Sequence, residues 1–205
     1  MEPIKLGIIL ASIREGRRGE AIARWVHALA AARAAEIAPT LLDLKEWPLP
    51  HYTHAQGAKM AEKAYADPLL QRWVKTVEAQ DAFAIVTPEY NFGYPGQLKD
   101  AIDLVYTGWG TKPFGFVSYG GVSGGTRSVQ QLRQLLPELG AVSVRDEVAI
   151  TFVGRAVDEK GAPRDPYYAA KAEGMLDQLV WWGAALREAR ARTPFPAPRP
   201  ASPPK

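Results

Sequence analysis

Two rhythms of apolar and polar positions run along the chain. Residues 4–11, 82–87 and 112–119 are nearly unbroken apolar runs of strand length, the pattern of strands buried on both faces, and a shorter run covers residues 40–44. Residues 141–152 are also rich in β-formers. Between these runs the apolar positions recur at helical spacing. An alanine-rich stretch from Gly19 to about Ile37 carries Ile22, Val26 and Leu29 on one stripe, and Leu70, Val74 and Val77 repeat after Asp67-Pro68, which reads as an N-cap followed by a first-turn proline. Further helices are expected over residues 95–106, from Thr126 as a cap with Val129, Leu132, Leu135 and Leu136 on one stripe, and after Asp165-Pro166. In that last helix Met175, Leu176, Leu179, Trp182 and Leu186 form the expected apolar face.

Strands alternating with helices imply right-handed crossovers and a parallel sheet covered on both faces. Five strands in the order 2-1-3-4-5 make the expected fold an α/β, flavodoxin-like one, whose ligand sits at the carboxyl ends of the strands. The loops after strands one, three and four then share one edge. Residues 45–60, with Trp47, Pro48, Pro50, His51, Tyr52 and His54, read as a long surface loop of the kind used as a lid.

Composition narrows the picture. A chain of 205 residues at 47% hydrophobic and 23% charged is expected to form one domain over residues 1–192. The tail over residues 193–205, with six prolines from Pro194 onward, is expected to be disordered. The absence of cysteine excludes disulfides, thiolate metal sites and cysteine nucleophiles. A net charge of +3 falls short of a nucleic-acid footprint. With no basic leader and no membrane-length apolar run, a cytoplasmic protein without membrane or nucleic-acid partners is expected.

Candidate chemistry lies in the loops. Ser12 to Gly19 joins the first strand to the first helix, where free amides, the Ser12 hydroxyl and the Arg14 and Arg17 guanidinium groups suit a terminal phosphate. It lacks the P-loop lysine and the G-x-G-x-x-G of dinucleotide folds, so a mononucleotide is the expected ligand. The loop from Thr87 to Gly96 offers prolines, glycines and flat apolar rings beside backbone amides, which suits a planar heteroaromatic ligand; Tyr90 is assigned to the ligand, Phe92 and Tyr94 to core or interface. Gly120 and Gly121 are expected to let backbone approach that ligand. Gly121 to Gly125 also fits the G-x-S-x-G nucleophile elbow, but that fold needs a histidine after the serine, and His27, His51 and His54 all precede it. The two loop histidines have no carboxylate or cysteine spacing beside them and read as surface residues. Trp181 and Trp182 are assigned to core and interface, while Trp109 is placed equally well against a nicotinamide or a neighbouring subunit.

From Pro88 to Asp103 the chain reads P-E-Y-N-x-x-x-P-G-x-L-K-x-A-I-D, which resembles the signature of the NADPH-dependent FMN reductase family. The resemblance implies FMN as cofactor, NADPH or NADH as co-substrate, and a small acceptor such as a quinone, free flavin, azo dye or metal oxyanion. It implies a cofactor-binding set of Ser12, Arg14, Arg17, Gly19, Glu20, Pro88, Glu89, Tyr90, Asn91, Ser118, Tyr119, Gly120 and Gly121. No catalytic side chain and no metal are expected, because the flavin carries the chemistry. A homodimer or homotetramer is the implied assembly. Two rivals are a flavodoxin-like electron carrier that does not oxidise nicotinamide, and a binding module that has lost the cofactor.

Overall fold

In the computed structural model, which describes residues 2–196, the apolar runs become the centre of a five-stranded parallel sheet. Strands β1 (Ile4–Leu10), β3 (Ala82–Pro88) and β4 (Pro113–Tyr119) are flanked by β2 (Ile37–Asp43) and β5 (Val142–Ile150), in the expected order β2-β1-β3-β4-β5. Register brings Leu10 beside Val86, Thr87 beside Ser118 and Tyr119 beside Ile150, so the strands end together at one edge.

Alternate side chains point to opposite faces, and each face has its own core. Ile4, Leu6, Ile8 and Leu10 pack under α1 (Gly19–Ala31) and α7 (Pro166–Arg192), against Ile22, Val26, Met175, Leu176 and Leu179. On the other face Trp73, Phe83, Trp109, Phe114 and Phe116 fill the space below α3 (Pro68–Glu78), α4 (Gly96–Asp103) and α5 (Thr126–Leu135). Each such aromatic contributes roughly 1.5–3 kcal/mol through burial. Short helices α2 (Ala58–Ala61) and α6 (Val153–Ala156) and a 3-10 turn at Thr107–Trp109 complete the chain.

Local signals hold where the partner is local. Asp67 accepts from the Leu69 amide at 2.8 Å and Asp165 from the Tyr167 amide at 2.9 Å, each followed by a first-turn proline as expected. Four assignments change. The first helix stops at Ala31 instead of continuing to Ile37, because Ile37 is drawn into the sheet opposite Ile4 and buried there. Thr126 does not cap α5; Gly125, at φ +86°, turns the chain in ahead of it. On α7 the buried stripe passes through Gly183, which lets Ile4 approach, so Trp182 falls off the stripe at 38% exposed beside Trp181 at 64%. Trp109 faces neither ligand nor subunit surface: it is fully buried, with its indole donating to the Ile102 carbonyl at 3.0 Å.

The loop histidines are in contact with protein groups, His51 Nδ1 with Asp100 at 2.9 Å and His54 with the rings of Tyr52 and Tyr65. Among the described residues no helix is long and apolar enough to cross a membrane. Most of the proline-rich tail, residues 197–205, lies outside the described residues.

Candidate functional site

At the carboxyl edge the loops after β1, β3, β4 and β5 surround an open cavity of about 260 Å³. Arg14, Arg17, Pro88, Glu89, Tyr90, Tyr119 and Gly120 line it, as their strand-end positions require. Glu15, Gly16, Arg18 and Val153 complete the wall.

The β1 loop is built on a buried serine. Ser12 Oγ lies 2.7 Å from the Tyr90 hydroxyl, tying this loop to the β3 loop, and Arg14 stacks 5.3 Å above the Tyr90 ring. Arg17, read as a free fork for a phosphate, is placed differently. Its guanidinium donates to the Ser12 carbonyl at 2.6 Å and makes a two-pronged contact with Asp43 at the end of β2. Only 6% of the Arg17 side chain is exposed, so its charge is neutralised inside the wall. Glu20 pairs with Arg24 at 2.6 Å and does not line the cavity. Gly19, the first residue of α1, is crowded: a Cβ there would stand 2.2 Å from the Tyr119 hydroxyl.

The β3 loop closes as a tight hairpin, the Tyr90 amide donating to the Gly93 carbonyl at 2.8 Å and the Gly93 amide returning to Tyr90 at 3.0 Å. Its central residues Asn91 and Phe92 have φ of +50° and +71°. Asparagine tolerates that region; for a bulky residue it costs about 1–2 kcal/mol. Gln131 bonds the Phe92 carbonyl at 2.9 Å and Arg127 lies 4.1 Å over its ring, which offsets the strain. Phe92 is accordingly 64% exposed on the rim and not part of the core. Glu89 works as a staple, accepting from Ser123 Oγ at 3.0 Å, the Arg127 amide at 3.2 Å and the Arg127 guanidinium at 2.7 Å. Burial alone would raise the Glu89 carboxyl, but these hydrogen bonds outweigh it and hold the group below its usual value. Such a carboxylate holds loops together and does not donate protons.

In the β4 loop, Ser118 Oγ is turned inward and donates to the Gly124 carbonyl at 2.8 Å. Gly124 and Gly125 have positive φ, and a Cβ on Gly125 would meet Ser118 Cβ at 2.8 Å. These two glycines, not Gly121, are the ones the turn requires. At Gly121 a Cβ would point into open space. The loop after β5 joins the site without any motif to announce it: the Phe152 and Val153 amides bond the Gly121 and Gly120 carbonyls at 2.8 and 3.0 Å, which sets Val153 on the cavity wall.

The cavity therefore combines the positive end of a 13-residue helix, the cations Arg14 and Arg18, backbone amides and flat aromatic surface. The chain is similar to known proteins. The sequence model of a family described as NADPH-dependent FMN reductase matches residues 4–154. An NAD(P)H-dependent FMN reductase of Schizosaccharomyces pombe is 36% identical over 162 residues, covering 75% of this chain and 80% of that protein. A quinone reductase of Escherichia coli is 28% identical over 184 residues, covering 87% and 91%. The solved flavoenzyme NAD(P)H:(acceptor) oxidoreductase FerB of Paracoccus denitrificans superposes with a TM-score of 0.73 at 26% identity, covering 89% of this chain and 98% of that one.

Proposed function

The chain belongs to the NADPH-dependent FMN reductase family, and from that premise we propose that it oxidises NAD(P)H and reduces a quinone, free flavin or similar small acceptor, with FMN as the carrier between them. Bound FMN supplies the redox chemistry, accepting a hydride equivalent from one substrate and passing electrons to the other.

The residues fit that group. The positive end of α1, where Gly19 opens the helix, and the Arg14 guanidinium, which no carboxylate among the described residues neutralises, would hold the phosphate end, with Ser12 bracing the loop behind them. Pro88, Glu89 and Tyr90 on one side and Tyr119 and Gly120 on the other line the space that would hold the planar end, with Asn91, Ser118 and Gly121 in the same loops. Glu89 binds the β4 loop to the β3 loop and Ser12 binds the β1 loop to Tyr90, so the walls are positioned before a ligand arrives. No side chain on the wall is needed as an acid or base. Hydride transfer is a matter of stacking distance and of water kept out.

This reading takes residues 1–192 as one working domain, in a cytoplasmic homodimer or homotetramer. Exposed Phe92, Val122 and Phe152 around the rim and Trp181 on α7 support self-association. Relatives named as a quinone reductase and an FMN reductase support the choice of acceptor.

The observation that carries the proposal is the convergence of four strand-end loops on one cavity at the positive end of α1. Flavin-loaded protein mixed anaerobically with NADPH or NADH should lose its yellow colour and regain it on addition of a quinone. If neither nicotinamide bleaches the bound flavin, the protein is an electron carrier and the proposal fails.

A further inference from the structure

We propose that the Tyr119 hydroxyl is a hydrogen-bond donor reserved for the phosphate of the bound mononucleotide, and that it sets the preference for phosphorylated over unphosphorylated flavin. This rests on the flavin reading above.

Tyr119 is the last residue of β4 and is 6% exposed. Its hydroxyl makes no hydrogen bond of ordinary geometry among the described residues, although the Ser12 hydroxyl and the Gly19 amide stand beside it. A buried donor left in that state is destabilising, and a ligand that brings it an acceptor recovers the loss. The hydroxyl stands against the first residue of α1, 2.2 Å from where a Gly19 Cβ would be, at the positive end of a helix of 13 residues. An acceptor arriving there is favoured if it is anionic. Burial, and then the neighbouring Tyr90 hydroxyl, raise the Tyr119 phenol above its ordinary value, so it remains protonated and able to donate.

Two other groups at this end, Ser12 and Arg17, are already committed. Ser12 Oγ is held by Tyr90 at 2.7 Å, and both arms of Arg17 are occupied by Asp43 and the Ser12 carbonyl. Arg17 thus fixes the loop, while Tyr119 lines the cavity with its hydroxyl buried in the wall at the start of α1.

Tyr119→Phe removes the donor and keeps the ring that packs in the core. Dissociation constants for FMN and riboflavin, and the melting temperature of flavin-free protein, separate the roles. FMN should weaken about tenfold or more while riboflavin changes by less than about twofold, because a hydrogen bond to a charged group is lost only with FMN. The flavin-free variant should melt no lower than the parent, since an unsatisfied polar group has been deleted. Equal weakening of both flavins, unchanged FMN affinity, or a lower melting temperature would each overturn the assignment. A parent protein that binds riboflavin as tightly as FMN would remove the phosphate site alone. One that binds neither would remove the flavin reading itself.

Discussion

The two ends of the sheet use the same residue types to opposite effect. At the amino end, Asp81 accepts from the Lys5 amide at 3.0 Å, from Arg187 at 3.2 Å and from Arg190 at 3.1 Å. Lys112, 5% exposed, caps α3 by donating to the carbonyls of Val77 at 2.8 Å and Glu78 at 3.0 Å. Arg190 also reaches the Thr111 carbonyl, and among the described residues the Gln80 side-chain oxygen is the one buried side-chain acceptor there without a partner. At the carboxyl end a phenol is left unpartnered, Asn91, Phe92 and Phe152 sit at positive φ, and Arg14 and Arg18 face an open cavity. One end is closed for stability. The other holds three of the four non-glycine residues at positive φ among the described residues, the fourth being Thr111 at the amino end, and one unsatisfied phenol.

Substitutions should separate the ends. Asp81→Ala removes the carboxylate shared by two arginines and the part-buried Lys5 amide and should cost about 3 kcal/mol in denaturant unfolding. FMN-over-riboflavin preference should be untouched; a changed preference would mean the two ends are coupled. Gly19→Ala drives a methyl group into the Tyr119 hydroxyl and should cost about 1–3 kcal/mol together with most of the bound flavin. Adding Tyr119→Phe should restore part of that stability, measured as a double-mutant cycle, because the nearest clashing atom is gone.

A further test is pH. Burial, with Arg190 adding to it, lowers Lys112 to about 7. Between about pH 7 and the ordinary lysine range the unfolded chain then holds a proton the folded one lacks, so stability should rise with pH across that window by at most about 1.4 kcal/mol per unit. Below it the penalty is fully present and the slope vanishes. Lys112→Met should flatten the curve, and an unchanged slope in that variant would assign the effect to another group.

Much of the fold was readable because its signals are local. An apolar run bounded by polar turns becomes a central strand, and Asp-Pro at residues 67–68 and 165–166 opens a helix, because each depends on neighbours within one turn. The first helix was overestimated because nothing within the alanine-rich stretch marks its end; pairing of Ile37 with Ile4 does. The site was readable at the level of loops: those after β1, β3 and β4 do meet at one cavity. Individual atoms were not. Arg17 looks like a phosphate ligand until Asp43, 26 residues away, is brought beside it. Phe92 reads as core or interface until the hairpin turns it outward and removes the first choice, and the loop around Val153 carries no motif at all.

By itself the sequence determined the alternation of strands and helices, the layering of two cores, and the stretch from Pro88 to Asp103 that names the family. Tertiary structure alone decided which charges are neutralised and which remain free. Periodicity and caps are short-range, whereas the partner of an arginine or a phenol depends on which loops the sheet brings within hydrogen-bonding distance. For Arg17 the answer is Asp43. For Tyr119 the described residues offer none, and that is the position where a ligand is expected.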